Sequence, residues 1–485
     1  MNMNISKKTK IVCTIGPASD NYETCLNLYK AGMNVMRINF SHGTYEEHLK
    51  KIEIADKLFK NEGIIIPIML DTKGPEIRTH DFVSGSASIE TNQKVIISMK
   101  PMLGTKDKFS VTYENLFDDV EVGQRIKLDD GNLTLLITSK DEQNKEIITK
   151  ALNHHVIKNK RGVNCPDTLI NLPYISEKDY NDIVWGCKNN VSLIAASFVR
   201  SPEDVLDIRK ILSDNGRKDI KIISKIENPN AVKQIDDIIK VSDGIMVARG
   251  DLGVEVPAEE VPVIQKEIIN KCRIAGKPVI TATQMLDSMK TNPNPTRAEV
   301  SDVANAVIES TDAVMLSAES ASGEYPVEAA SMQAKIASKM ETYLPYEKFA
   351  QEAFDTSIKN NNDAISNSVA NTALLIGAKL IVCLTESEET ISRIAKSRPS
   401  CPILSVSNDL NICKSSCLTW GVYPVYIPYL PQFIEEMEVL ALLKARELKI
   451  PAGSPIILTG GTPTGTNKNN FMKIITVNEF KEVEL

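Results

Sequence analysis

Short apolar runs alternate with segments whose apolar residues recur at helical spacing. Residues 10–15 (KIVCTI) read as a strand ended by Gly16-Pro17. Asp20 or Asn21 can cap a helix running to Gly32, which sits where a closing left-handed glycine belongs. Residues 34–40 (NVMRINF) read as a second strand. Thr44 and Glu47 form a capping box, and the helix that follows has Leu49, Ile52, Ala55, Leu58 and Phe59 on one face. A third strand at 64–70 (IIIPIML) ends at Asp71-Thr72. There the strand–helix rhythm stops. From Gly74 to Thr168 the chain shows short alternating runs (VIISM, IKLDD, LTLLIT, KEIIT) split by turn signals such as Asp129-Asp130-Gly131-Asn132. These predict an inserted, mostly antiparallel β unit, with Gly74-Pro75 and Cys165-Pro166-Asp167 as hinges.

The rhythm then resumes with strands VSLIAASFV, IKIIS, DGIMVA, KPVITAT and TDAVMLS. Ser201-Pro202 and Asn228-Pro229 are cap-plus-proline helix starts, Ser176 with Asp179 and Thr296 with Glu299 open two more helices, and a last helix starts near Pro326. Eight such units predict a closed (β/α)8 barrel. An open doubly wound sheet fits less well, because no G-x-G-x-x-G turn follows the first strand. Beyond Tyr343 a second α/β pattern follows, with strands LIVCL, PILSVS, VYPVYI, PIILTG and MKIITV, and predicts a three-layer domain. The expected division is a barrel from 1–74 and 168–344, a β lid at 75–167 and a C-terminal α/β domain at 345–485.

Composition narrows the partners. A chain of 485 residues, 42% hydrophobic and 25% charged, is an ordinary multi-domain globular protein. Its net charge of −7 gives no basic excess for a nucleic-acid backbone, yet leaves small anionic substrates open. There is no apolar run of bilayer length and no apolar signal segment ahead of the first strand, so the expectation is a cytoplasmic protein without a membrane partner. The nine cysteines include no C-x-x-C pair and read as reduced core thiols.

Candidate chemistry falls at strand ends, the face where parallel α/β barrels bind ligands. Lys225 and Glu227 end one strand; Arg249, Gly250 and Asp251 end the next and open into a polar loop. A lysine with two carboxylates suits metal-assisted transfer of an anionic group. Lys225 could stabilise a moving phosphoryl group or form a Schiff base, and its own strand does not choose. Glu227 and Asp251 as Mg²⁺ ligands favour phosphoryl transfer. Gly250-Asp251-Leu252-Gly253 can offer backbone N–H groups to an anion. Arg37 suits bidentate recognition of phosphate or carboxylate. Asn39, Ser41, Asp71 and Thr72 offer oxygens for a weakly charged hard cation, although, taken alone, turn and cap chemistry explains them better. Thr283 is a hydroxyl donor at a strand end. No zinc-ligand spacing of His and Cys occurs.

At these residues the chain closely resembles the pyruvate kinase family over nearly its whole length. The matching blocks are TKIVCTIGPAS at 9–19, MRINFSHG at 36–43, LDTKGPEIRT at 70–79, ISKIEN at 223–228, MVARGDLGVE at 246–255, ATQMLDSM at 282–289 and PTRAEVSDVANAV at 295–307. The resemblance implies a (β/α)8 barrel with a β-barrel lid inserted after strand three and a C-terminal α/β domain. It also implies transfer of the phosphoryl group of phosphoenolpyruvate to ADP, giving pyruvate and ATP. By motif, it implies Lys225 as stabiliser of the moving group, and Glu227 and Asp251 as holders of Mg²⁺ (or Mn²⁺). Arg37 would bind the phosphate, and Gly250, Asp251 and Thr283 the substrate carboxylate side. Asn39, Ser41, Asp71 and Thr72 would hold K⁺, a requirement that Glu76 matches. Asn39, His42, Arg78 and Arg161 would lie on the nucleotide side, Arg161 standing where the family has lysine. The family's LSGETAKGxYP block reads LSAESASGEYP at 316–326. A homotetramer is implied as well. The family's sugar-phosphate loop is replaced by Thr385-Glu386-Ser387-Glu388-Glu389-Thr390, whose carboxylates would repel a phosphate, so weak or absent activation by fructose 1,6-bisphosphate is expected.

Overall fold

The computed structural model describes residues 5–166, 168, 170–358, 360–462 and 469–478. Asp167, expected at a hinge, lies outside them. Eight parallel strands close a barrel: β1 (Lys10–Thr14), β2 (Val35–Asn39), β3 (Ile68–Asp71), β4 (Leu193–Ala196), β5 (Lys221–Ile226), β6 (Gly244–Ala248), β7 (Val279–Ala282) and β8 (Ala313–Leu316). Neighbours follow chain order, and β8 pairs with β1 to close the ring. Val12, Val35, Met69, Leu193, Ile223, Met246, Ile280 and Ala313 fill the barrel, while the outward residues of the strands pack under the helices. Both expected capping boxes form, at Thr44 with Glu47 and at Thr296 with Glu299. Asn21 caps the first helix and Gly32 closes it. Ser201 differs: Pro202 does open its helix, but the serine side chain makes no capping bond.

Between β3 and β4 lies a seven-stranded sheet with its own core around Ile97, Phe109, Ile126, Leu135 and Ile147. All its strand pairs are antiparallel except Lys94–Ser98 with Lys108–Ser110. The segments at the two outer edges meet at isolated bridges, Thr79 with Val111 and Phe82 with Gly104, so the sheet closes on itself without a continuous ladder. A separate ribbon pairs Ser86–Ile89 with His155–Lys158. Gly74, expected to be a hinge, is firmly packed. It takes φ +73°, and an added Cβ would come within 2.9 Å of Ser197 Cβ and Phe198 Cδ2.

The C-terminal sheet consists of β9 (Ile381–Leu384), β10 (Ile403–Ser407), β11 (Val422–Tyr426), β12 (Pro455–Gly460) and β13 (Phe471–Thr476), in the order β11-β10-β9-β12-β13 with only β13 antiparallel. Apolar clusters cover both faces, as three layers require. Arg398 docks this sheet on the barrel. It is 2% exposed, bonds both oxygens of Asp312 at 3.0 and 2.9 Å, and lies over the Trp420 ring. All nine cysteines are free and buried.

Candidate active site

The chemistry sits at the carboxyl ends of β2 to β7. At the end of β5, an apolar run delivers Lys225 into a buried position, where its Nζ lies 3.2 Å from Asp71 Oδ1, 2.9 Å from Glu227 Oε1 and 2.8 Å from Ser197 Oγ. Burial alone would lower the ammonium's pKa. Asp71, then Glu227 and Asp251, override it and raise Lys225 well above its ordinary value. Asp71 lies between two cations, with Arg37 Nε 2.6 Å from its Oδ2. Burial would push its carboxyl up, but Arg37 and Lys225 hold it below the usual range. Glu227 behaves in the opposite way. Burial and the nearby Asp251 push it up to about 7, against the pull of Lys225. Its Oε2 accepts the Phe198 N–H at 2.5 Å, while its buried Oε1 has no aligned hydrogen bond.

Residues 249–255, expected as a polar loop, form the short helix Arg249–Glu255. The Arg249 guanidinium turns away from the mouth. It grips Asp302 at 2.6 and 2.7 Å and the Thr283 carbonyl at 2.6 Å. Gly250 N–H, expected to face an anion, donates to Thr283 Oγ1 at 2.7 Å, and that hydroxyl donates to the Ala282 carbonyl at 2.6 Å. Thr283 holds φ +71°, and Gln284 beside it holds φ +55°. For a β-branched residue this is strained backbone of the kind found at functional sites.

The expected K⁺ donors gather on neighbouring strands: Asn39 and Asp71 are register partners in β2 and β3. Asn39 Oδ1 accepts the Ser41 N–H at 3.0 Å, and Thr72 Oγ1 accepts the Ser197 N–H at 3.1 Å. Glu76 is paired with Arg78 at 2.8 Å. His42, Arg78, Arg161, Asn228, Asp251 and Glu255 line a cleft of about 810 Å³ between the inserted β unit and the barrel mouth. Lys127 Nζ reaches across it to the Val254 carbonyl at 2.5 Å, and Asn164 Nδ2 to Glu255 Oε1 at 2.6 Å.

Four residues at the site escaped the sequence reading. Thr14 Oγ1 accepts Arg37 Nη1 at 2.8 Å, Asp302 anchors Arg249, Ser197 bonds Lys225, and Phe198, at φ +54°, aims its N–H at Glu227. For Ser197 and Thr14 the available signal was a hydroxyl at the end of an apolar run, which turn chemistry supplies just as often.

The donor set can be tested against a divalent cation. Among the described residues no group of three or more His, Cys, Asp and Glu converges on one point. Asp251 lies near enough to Glu227 to push its pKa up, and the buried Glu227 Oε1, paired with Lys225 at 2.9 Å, has no aligned hydrogen bond. One or two carboxylates completed by substrate oxygens and water is the habit of Mg²⁺, so the pair fits.

A closed parallel barrel with a buried lysine among carboxylates at its mouth, beneath an inserted β unit, defines an enzyme acting on small anions. Residues 6–330 match the family pattern described as pyruvate kinase, barrel domain, and residues 363–475 match pyruvate kinase, alpha/beta domain. The chain is 48% identical to the pyruvate kinase of Geobacillus stearothermophilus over 476 residues and 49% identical to that of Bacillus licheniformis over 478; each comparison covers 98% of this chain and 81% of the relative. The crystal structure of a pyruvate kinase from Cryptosporidium parvum superposes with a TM-score of 0.91 at 37% identity, covering 97% of this chain and 96% of that one. The chain belongs to the pyruvate kinase family, and its class of activity is phosphoryl transfer.

Proposed function

We propose that the barrel mouth is where this chain moves the phosphoryl group of phosphoenolpyruvate to ADP, leaving pyruvate and ATP. The observation that carries the reading is the Lys225 ammonium, buried between Asp71 and Glu227. A Schiff-base lysine must shed its proton to attack a carbonyl, whereas Lys225 is held charged. As an ammonium it can neutralise the phosphoryl group throughout transfer. Arg37, oriented by Asp71 and Thr14, binds the substrate phosphate. Gly250, Asp251 and Thr283 lie on the side of the site that takes the substrate carboxylate. His42, Arg78 and Arg161, which share the cleft, take the nucleotide side with Asn39.

Glu227 and Asp251 would hold Mg²⁺ or Mn²⁺, and Asn39, Ser41, Asp71 and Thr72 would hold K⁺. These cations add positive charge where phosphoryl oxygens gather. The proposed assembly is a homotetramer and the proposed compartment the cytoplasm; among the described residues no helix is long and apolar enough to cross a membrane. Glu388 of the acidic loop pairs with Lys221 at 2.6 Å, which supports the reading that this loop does not serve a sugar bisphosphate.

Lys225→Met tests the site in a coupled pyruvate assay with phosphoenolpyruvate, ADP and Mg²⁺, run with and without K⁺. The expected loss in kcat is about 10²- to 10³-fold. A kcat within about twofold of the parent would remove Lys225 from the chemistry.

A further inference from the structure

An ammonium has three donors, and three partners surround Lys225: Asp71 and Ser197 accept hydrogen bonds, and Glu227 Oε1 forms an ion pair at 2.9 Å. Two of these are anions and the third is a neutral hydroxyl. The hydroxyl is tightly determined. Ser197 is 2% exposed; its Oγ donates to the Thr72 carbonyl at 2.7 Å, and its backbone N–H donates to Thr72 Oγ1 at 3.1 Å. Its single proton has the Thr72 carbonyl at 2.7 Å and Asp71 Oδ1 at 3.2 Å as acceptors, and with either one the oxygen keeps a lone pair for Lys225. Phe198, the next residue, holds Glu227 through its N–H. Gly74 packs against both residues so closely that an added Cβ would collide with them. The end of β4 is thus a rigid bracket that fixes both Lys225 and Glu227 from one side.

We propose that Ser197 is a positioning residue for phosphoryl transfer, a third, neutral contact that fixes the direction of the Lys225 ammonium, which two carboxylates alone would leave free to swing about the line between them. Without that neutral acceptor, the ammonium swings about the line joining the two carboxylates and is less often aimed at the transferring group. The inference rests on the reading of Lys225 given above. Substrate affinity comes mainly from other groups, so the damage falls on turnover rather than on binding.

The test compares Ser197→Ala with Ser197→Cys, which is close in shape but a poor acceptor. Both are assayed as full chains beside the parent and Lys225→Met, with melting temperatures recorded. The expected result is a kcat loss of about 10- to 100-fold in both serine variants. KM for phosphoenolpyruvate stays within about threefold. If either serine variant keeps kcat within about twofold while Lys225→Met is inactive, the role of Ser197 falls and that of Lys225 stands. Equally damaging is a kcat loss that merely tracks the unfolded fraction. Should Lys225→Met retain parental kcat, the Lys225 reading fails and takes this one with it.

Discussion

His48 shows how one buried group sets a pH response. It is 2% exposed, lies against the Phe40 ring at 4.0 Å, and its Nδ1 has no hydrogen-bond partner. Burial, then Lys51 and Lys178, outweigh Glu47 and push its pKa from 6.5 down to about 4. Between those two values the unfolded chain binds a proton that the folded chain refuses. Stability from this source is therefore complete above pH 6.5 and is lost as pH falls towards 4. His48→Gln is expected to melt with a shallower dependence on pH across that window. Identical slopes in thermal scans of the two proteins would clear His48 of the effect. At the same scale, Lys225 and Glu227 could be read from sequence because charge at the end of an apolar strand is anomalous. Ser197 could not, since a serine there is ordinary until its partners are known.

At the scale of elements, the helix Arg249–Glu255 connects the parts of the site. It carries Gly250 and Asp251, is tied to the β7 end through Thr283, and accepts hydrogen bonds from Lys127 and Asn164 of the inserted unit across the cleft. Its anchor is the two-pronged bond from Arg249 to Asp302. Asp302→Ala should cost about 1–3 kcal/mol, because it leaves a largely buried guanidinium without its carboxylate. It should also lower kcat by letting Asp251 drift. A urea midpoint and a coupled assay on the same preparation check both parts, and lost stability with unchanged kcat would detach the helix from catalysis. This helix was misread as a loop for a physical reason. Gly250 and Gly253 weaken intrinsic helix propensity, and the tertiary grip of Arg249 and Thr283 restores what the local sequence lacks. The capped helices were legible because Thr44 with Glu47 and Thr296 with Glu299 complete their bonds within four residues.

Across the whole molecule, the barrel and the C-terminal sheet meet through a charge pair that water barely reaches. Arg398 and Asp312 are 2% and 3% exposed, and the Trp420 backbone N–H also donates to Asp312 at 3.1 Å. Arg398→Ala should cost about 3–5 kcal/mol, since it strands a buried carboxylate. Calorimetry is expected to show the C-terminal sheet melting apart from the barrel; an unchanged single transition would mean that the pair is not what couples them. The barrel was legible as a rhythm of strands and helices, and the break in that rhythm marked the insertion. The way the inserted sheet closes was not legible, because isolated bridges leave no periodic trace.

The nine thiols carry a practical consequence. Burial pushes Cys25, Cys383, Cys401, Cys413 and Cys417 up to about 12, so none reacts until its surroundings part. Cys165 lies in the core of the inserted unit, Cys13, Cys25, Cys187 and Cys272 in the barrel core, and Cys383 and Cys401 in the C-terminal sheet. Each region therefore contains its own silent clock. The order in which alkylation reaches them would record which part of the molecule breathes first, with no label added.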